Sequence, residues 1–467
     1  MPCEEFAKKI DIYKNIRRRK KLFGSGFRGI VNKEITAIML IKRVGGALAT
    51  YLGEGKTIAI GKDTRISSPI LEEEIIEGII ENGCNALTLG ITTPNALSLE
   101  TAKQADAGVM ITASHIPPEY NGIKCLSKSG RSFSPEEDIA LEKIYFGELK
   151  TATKKGKRTS DVYANDRYRA HIVEYVTKLF PIKHMKIVVD GSGGSASSVT
   201  PETLEDLGHT VVRFNCEYDG LFKERNPEPT NSNLKKLKRL TIDKNADFGV
   251  AHDGDGDRTA FVDENGEFVQ GDVSATIIAD HILRQNKDKN KTIAVTIAFS
   301  NIIKNVATAL GANVIYTPVG EPYLAQAKLL CGAQVGLEEH GSVLLEWSRE
   351  GPMLAGIMAG ILAKEENTLS ELVASYPKYY QIKDSKTLPD GADMQAVLDK
   401  LLQEIPQNYR IVTDMDGVRV DYDDDGWFLV RTSGTEPKVR VFSEGDTKES
   451  AQWLNEVAMN GLERAMK

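Results

Sequence analysis

Lys56-Thr57-Ile58-Ala59-Ile60-Gly61 is an apolar run closed by glycine, and what surrounds it decides the fold. The pattern predicts a buried strand here, a helix over 68–82 ended by Gly83, and a second strand over 85–90. Strands that are continuously apolar, instead of alternating, belong to parallel sheets covered by helices on both faces. The same order returns at Met185-Lys186-Ile187-Val188-Val189-Asp190-Gly191, with a helix over 200–207, Gly208 and a strand over 210–214. It returns again at Lys291-Thr292-Ile293-Ala294-Val295-Thr296, with a helix over 301–310, Gly311 and a strand over 313–316. Three copies predict three related α/β domains with mixed, mainly parallel sheets. From about residue 382 the texture changes. A helix over 394–404, strands over 417–422, 427–431 and 439–442, and a closing helix over 448–466 predict a smaller C-terminal α+β domain. The boundaries fall at 1–159, 160–269, 270–380 and 381–467.

Composition narrows the class. Of 467 residues, 41% are apolar and 27% charged, as in ordinary soluble globular chains. A net charge of −7 gives no basic excess of the kind nucleic-acid partners require. No apolar run is long enough to span a bilayer, and Met1 to Lys21 has no hydrophobic signal region, so a cytoplasmic protein is expected. Cys3, Cys84, Cys125, Cys216 and Cys331 lack Cys-x-x-Cys spacing, which predicts reduced thiols and no zinc site. Arg17 to Lys21 reads as the solvated end of a short helix, Glu72-Glu73-Glu74 as a solvated helix face, and Trp347, Trp427 and Trp453 as packing residues.

Chemistry concentrates in loops. Thr112-Ala113-Ser114-His115-Ile116-Pro117-Pro118-Glu119-Tyr120-Asn121-Gly122-Ile123-Lys124 follows an apolar strand-like run. The paired prolines forbid helix and stiffen the loop, while Asn121-Gly122 turns Lys124 back toward Ser114. Ser114 is then either a nucleophile or a well-bonded loop serine. Phe23-Gly24-Ser25-Gly26-Phe27-Arg28-Gly29 is a bent, glycine-rich segment around one arginine, without the dinucleotide spacing. Asp253-Gly254-Asp255-Gly256-Asp257-Arg258 places carboxylates at every second residue, which the glycines let converge on one hard cation, Mg²⁺ or Ca²⁺. An EF-hand is excluded, because Arg258 stands where that loop needs glycine and both flanks read as strands; a solvated acidic turn is the other reading.

Arg431-Thr432-Ser433-Gly434-Thr435-Glu436-Pro437 offers a guanidinium fork, hydroxyls and a loosened backbone, the donors a phosphate takes, or stands as an ordinary Ser/Thr turn. Gly336-Leu337-Glu338-Glu339-His340-Gly341-Ser342, with Thr317-Pro318-Val319-Gly320-Glu321 before it, can accept hydrogen bonds from sugar hydroxyls or stand as a solvated acidic loop. Asp63 and Arg65 read as a structural ion pair.

Together, in this order, the loops resemble those of the α-D-phosphohexomutase superfamily, the phosphoglucomutase/phosphomannomutase and related archaeal-type enzymes. The resemblance covers nearly the whole chain and implies four domains around a central cleft. It implies an isomerase that interconverts hexose 1-phosphate and hexose 6-phosphate, of glucose, mannose or both, through a phosphoserine and a hexose 1,6-bisphosphate. Phosphoglucosamine mutase or phosphopentomutase action is the alternative within the same mechanism. Ser114 would carry the phosphate, and Arg28, His115, Lys124 and Arg258 would complete the catalytic set. Mg²⁺ would sit on Asp253, Asp255, Asp257 and Ser114. Gly320, Glu338, His340, Arg431, Ser433, Gly434 and Thr435 would bind substrate. Partners would be small-molecule sugar phosphates, with neither nucleic acid nor membrane, for a monomer or homo-oligomer. The chain departs from the family pattern in a shorter first loop, in Ile116 where Asn is usual, and in His340 and Ser342, which exchange the family's Ser and His. A metal-dependent phosphatase and a silent sugar-phosphate binder are the competing readings.

Overall fold

A computed structural model describes residues 4–17, 27–31, 38–288, 290–346, 348–387, 393–409, 411–422, 426–432 and 438–466. Four sheets organise it. The first runs in space from strand Phe27–Ile30 through Tyr120–Ser127, Ala107–Ile111, Thr57–Lys62 and Asn85–Ile91 to Arg158–Ser160. Ala107–Ile111, Thr57–Lys62 and Asn85–Ile91 form its parallel centre, and Tyr120–Ser127 and Phe27–Ile30 add an antiparallel margin. The second and third sheets repeat the plan. Lys186–Asp190 lies parallel between Thr210–Phe214 and Phe248–His252, and Thr292–Thr296 lies parallel between Asn313–Thr317 and Val335–Leu337. The fourth sheet, of five strands from Tyr380–Thr387 to Ile411–Thr413, is antiparallel throughout and packs against helices Met394–Glu404 and Lys448–Ala465. The mixed α/β reading and the α+β end both hold.

The parallel centres are buried because their side chains are apolar on both faces: Ala107–Ile111, Phe248–His252 and Thr292–Thr296 are buried at every position. Each turns at its C-terminal end into a loop that carries polar side chains, the usual place for ligand sites in such sheets. Glu72 departs from the expected solvated face. The helical period sets it beside Leu71, Ile75 and Ile76 on the inward side of Ser68–Glu81, where it accepts a hydrogen bond from Lys62. The expected reduced thiols are corrected at one position. Cys84, Cys125 and Cys216 are free, but Cys331 is disulfide-bonded, a bond set by tertiary packing that spacing does not reveal.

Arg419 joins the fourth unit to the third. Its guanidinium donates to the Ile297 and Phe299 carbonyls at 2.8 and 3.2 Å and lies 3.9 Å from the centroid of Trp427, whose indole donates to Glu444. Trp427 is thus a packing residue, as expected. Trp347, Arg18 to Lys21, and the loop segments 22–26 and 433–437 lie outside the described residues. Among the described residues no helix is long and apolar enough to cross a membrane.

Candidate active site

The two motifs farthest apart in chemistry meet directly. Ser114 Oγ donates to Asp253 Oδ2 at 2.7 Å, across 139 residues of sequence. Ser114 holds a left-handed φ of 54° that an L residue adopts only under constraint. The constraint is visible on both sides. Its N–H donates to Thr112 Oγ1 at 2.8 Å, and its carbonyl accepts from Arg65 Nη2 at 2.9 Å. Thr112 Oγ1 donates in turn to Asp255 Oδ2 at 3.1 Å, so one threonine ties serine loop to aspartate loop.

Asp253, Asp255 and Asp257 are buried, with ligand oxygens that all lie within 4.8 Å of one another. Asp253 Oδ1 accepts from the Gly256 and Arg258 amides at 3.1 Å each, which curls the loop as its glycines allow. Lys124 Nζ bonds Asp255 Oδ2 at 3.1 Å and Asp257 Oδ2 at 2.8 Å. Asp255 Oδ1 and Asp257 Oδ1, by contrast, are buried without a hydrogen-bond partner. Buried carboxylate oxygens are costly when unpaired, so this donor set fits a hard divalent cation. The loop is wedged between neighbours at glycines. A Cβ on Gly254 would lie 2.6 Å from the Ser114 carbonyl, and one on Gly351 would lie 1.8 Å from the Gly256 carbonyl.

A cleft of about 100 Å³ opens beside these groups, lined among others by Arg28, His115, Lys124, Arg258, Glu321 and Arg349. Its electrostatics follow from crowding. Burial opposes charge on Lys124, yet the Asp255 and Asp257 carboxylates carry its pKa above the usual lysine range. Burial lowers Arg28 against the pull of the same carboxylates, and its Nε has no partner. Burial and the Arg258 and Arg28 charges push His115 far down, so its imidazole is neutral; its Nδ1 stands 3.2 Å from Ser114 Oγ. Burial and its two neighbouring carboxylates raise Asp253. Burial would raise Asp257 too, but Lys124 and Arg349 bring it below the ordinary range.

The acidic loop over 336–342 joins the site through an arginine that the motif reading missed. Arg349 forks onto Glu338, with Nη2 to Oε1 at 2.9 Å and Nε to Oε2, and its Nη1 lies 3.6 Å from Asp257 Oδ2. The sheet explains this: Leu344 pairs with Arg349, which folds the arginine back under Glu338. Nothing in Ser348-Arg349-Glu350-Gly351 marks it as part of a site. His340 Nε2 lies 3.2 Å from Ser342 Oγ, and burial with the Arg258 and Arg349 charges keeps it neutral. Gly320, at φ 131°, begins helix Glu321–Cys331, whose first two residues line the cleft. Glu321, in the stretch quoted with the acidic loop, accepts from Ser132 Oγ at 3.0 Å.

Arg258 also reaches Glu228 at 3.1 Å. Arg431 does not line this cleft. Its Nε donates to Asp416 Oδ2 at 3.1 Å, and the same oxygen accepts from Val319 N at 3.0 Å, next to Gly320. Ser433, Gly434 and Thr435 lie outside the described residues. Asp63 and Arg65 form the expected ion pair at 2.9 Å, but the arginine also organises the Ser114 loop.

Known proteins match over nearly the whole chain. Its segments fit, in order, models described as phosphoglucomutase/phosphomannomutase alpha/beta/alpha domain I (residues 19–152), domain II (166–266), domain III (270–380) and the C-terminal domain (383–459). A phosphoglucomutase/phosphomannomutase of Thermococcus kodakarensis is 38% identical over 464 residues, covering 96% of this chain and 99% of that one. A probable phosphoglucosamine mutase of Methanopyrus kandleri is 36% identical over 454 residues, covering 96% and 98%. Among solved structures, a phosphoglucomutase/phosphomannomutase family protein from Burkholderia thailandensis shares the fold with a TM-score of 0.83 at 22% identity, covering 94% of this chain and 96% of that one.

Proposed function

Because this chain belongs to the phosphoglucomutase/phosphomannomutase family, we propose that it is a phosphohexomutase, interconverting hexose 1-phosphate and hexose 6-phosphate with Ser114 as the phosphoryl carrier. The observation that carries this reading is the meeting of Ser114 with Asp253 at 2.7 Å, beside the cationic cleft.

Phosphoryl transfer asks a protein mainly for position and charge. Position comes from Arg65 and Thr112, which hold Ser114 by its carbonyl and its amide. Charge comes from Lys124, Arg28, Arg258 and Arg349, which face the place a dianionic phosphate enters. In the forward step a sugar hydroxyl oxygen forms a bond to the phosphorus of phosphoserine 114 as the Ser114 Oγ–P bond breaks. The hydroxyl proton passes to a base of the cleft, and Ser114 Oγ takes up a proton. The neutral His115 imidazole stands at the right distance to handle the proton of Ser114. The hexose 1,6-bisphosphate then reverses in the cleft, and its other phosphate returns to Ser114. Asp253, Asp255 and Asp257 would hold Mg²⁺, which supplies charge neutralisation at the transferring phosphoryl group when bound. Glu338 would read sugar hydroxyls through the lone pairs that its fork with Arg349 leaves free. Arg431 and the loop after it hold the phosphate that is not reacting.

Intact-mass measurement tests the reading. After incubation with glucose 1,6-bisphosphate and Mg²⁺, the wild type is expected to gain one phosphoryl group and Ser114→Ala none, with isomerisation lost in the variant. Coupled assays on glucose, mannose and glucosamine 1-phosphates decide the sugar. Glucosamine phosphate is the second reading, favoured by the likeness to the Methanopyrus protein. Phosphate release without isomer formation would show a phosphatase instead.

A further inference from the structure

The helix Glu4–Arg17 precedes the segment that fits the first family domain, which begins at residue 19, and the reaction above gives it no task. Its apolar residues nevertheless enter the third unit. Phe6 and Tyr13, at 1% and 0% exposure, pack in one cluster with Ala294, Tyr323, Leu324 and Leu344. Tyr13 meets Tyr323 edge-on, ring centroids 5.2 Å apart. Tyr13 lies in the second half of its helix and Tyr323 near the start of Glu321–Cys331. The first unit closes the other side. Lys9 pairs with Glu136 at 3.1 Å, and Ile139 of the same helix, Pro135–Phe146, joins the apolar cluster.

This helix therefore bridges two units just behind the cleft. Glu321 and Pro322, at the start of the helix it covers, line the cleft, and Ser132 of the first unit bonds Glu321 at 3.0 Å. In the sequence there follows Phe27–Ile30, an edge strand that among the described residues pairs with Tyr120–Ser127 and carries Arg28 into the same cleft. At the far end of the covered helix Cys331 is disulfide-bonded, whereas Cys84, Cys125 and Cys216 are free.

We propose that Glu4–Arg17 is a strap that positions the Glu321 wall of the cleft against the Ser114 wall. Phe6, Tyr13 and Lys9 are positioning residues, acting through Glu321–Cys331. The catalytic consequence rests on the mutase reading. A bisphosphate that must reverse without leaving needs both walls in fixed register, and a loosened wall lets it escape.

The test uses full-length protein carrying Phe6→Ala with Tyr13→Ala, and separately Lys9→Glu, which spares the apolar cluster. Hydrogen exchange is expected to quicken across 321–331 by about tenfold in the double variant and about threefold in Lys9→Glu, with helix Gly271–Gln285 unchanged. Turnover in the double variant is expected to need about tenfold more added glucose 1,6-bisphosphate, because released intermediate must be replaced. Unchanged exchange across 321–331 would overturn the strap, and so would an unchanged bisphosphate requirement in an active double variant. Exchange that quickens in a protein whose wild type shows no mutase activity would uphold the strap and sink the functional reading.

Discussion

Replacing Arg65 with lysine keeps the charge and removes the fork. Every N–H of the buried guanidinium is used. Nε donates to Asp63 Oδ2 at 2.9 Å, Nη1 to the Pro117 and Tyr120 carbonyls at 2.6 and 3.0 Å, and Nη2 to the Ser114 and Ile116 carbonyls at 2.9 and 2.6 Å. Phe222 of the second unit covers the group, its ring centroid 5.0 Å from Cζ. An ammonium has only three donors, so at least two of these acceptors lose their partner. At about 1–3 kcal/mol for each stranded acceptor, the loop loses about 2–6 kcal/mol. That is a large share of the ~5–15 kcal/mol that keeps a domain folded. The released strain falls on Ser114, whose φ of 54° this clamp maintains. A shift of ~1 Å in a reacting group costs on the order of 10²-fold in rate. Arg65→Lys is therefore expected to lower kcat about 10²-fold with little change in KM, and to lower the urea midpoint of the first unfolding transition. Arg65→Met leaves Asp63 buried and unpaired, at a cost of ~3–5 kcal/mol, and is expected to be largely insoluble. Wild-type kcat and midpoint in Arg65→Lys would refute the clamp.

Three further outcomes follow from particular contacts. Gly351→Ala puts a Cβ 1.8 Å from the Gly256 carbonyl, so the aspartate loop must move; mutase assays over a Mg²⁺ titration should show weaker activation, by about tenfold or more. Asp255→Asn is expected to cost on the order of 10²-fold in Mg²⁺-dependent turnover while circular dichroism stays native, and chelation should silence the wild type. His209 is buried, with neither ring nitrogen partnered, and burial lowers its pKa from 6.5 to about 4. A base depressed in the fold costs stability as pH falls, because the unfolded chain protonates first. Stability should fall between pH 6.5 and about 4 by ~3 kcal/mol from this group and then level, and His209→Leu should flatten that slope in urea titrations at each pH.

The legible part of this molecule was local. Apolar runs such as Ile58-Ala59-Ile60 and Ile187-Val188-Val189 mark strands buried on both faces because the side-chain pattern is itself the cause of burial. Asp253-Gly254-Asp255-Gly256-Asp257 announces a cation site because three carboxylates at that spacing are unfavourable without one. Ser114 could be named, since its prolines and its turn belong to the same loop. Arg349, the partner of Glu321 and the full reach of Arg65 could not. Their meaning lies in partners that only folding supplies: a strand pairing that turns Arg349 under Glu338, a helix start that brings Glu321 to Ser132, and a loop that wraps its carbonyls around one guanidinium. The strap shows the same division. Sequence gives an ordinary charged helix at the N-terminus and a cysteine far away. Tertiary packing alone sets Phe6 and Tyr13 on another unit and Cys331 at the end of the helix they cover. Secondary structure and ligand type are written in short-range pattern, where each residue constrains its neighbours. The cleft is joined by contacts such as Ser114 to Asp253 and Lys124 to Asp255, between residues more than a hundred positions apart, and their free energy exists only once the units have closed on one another.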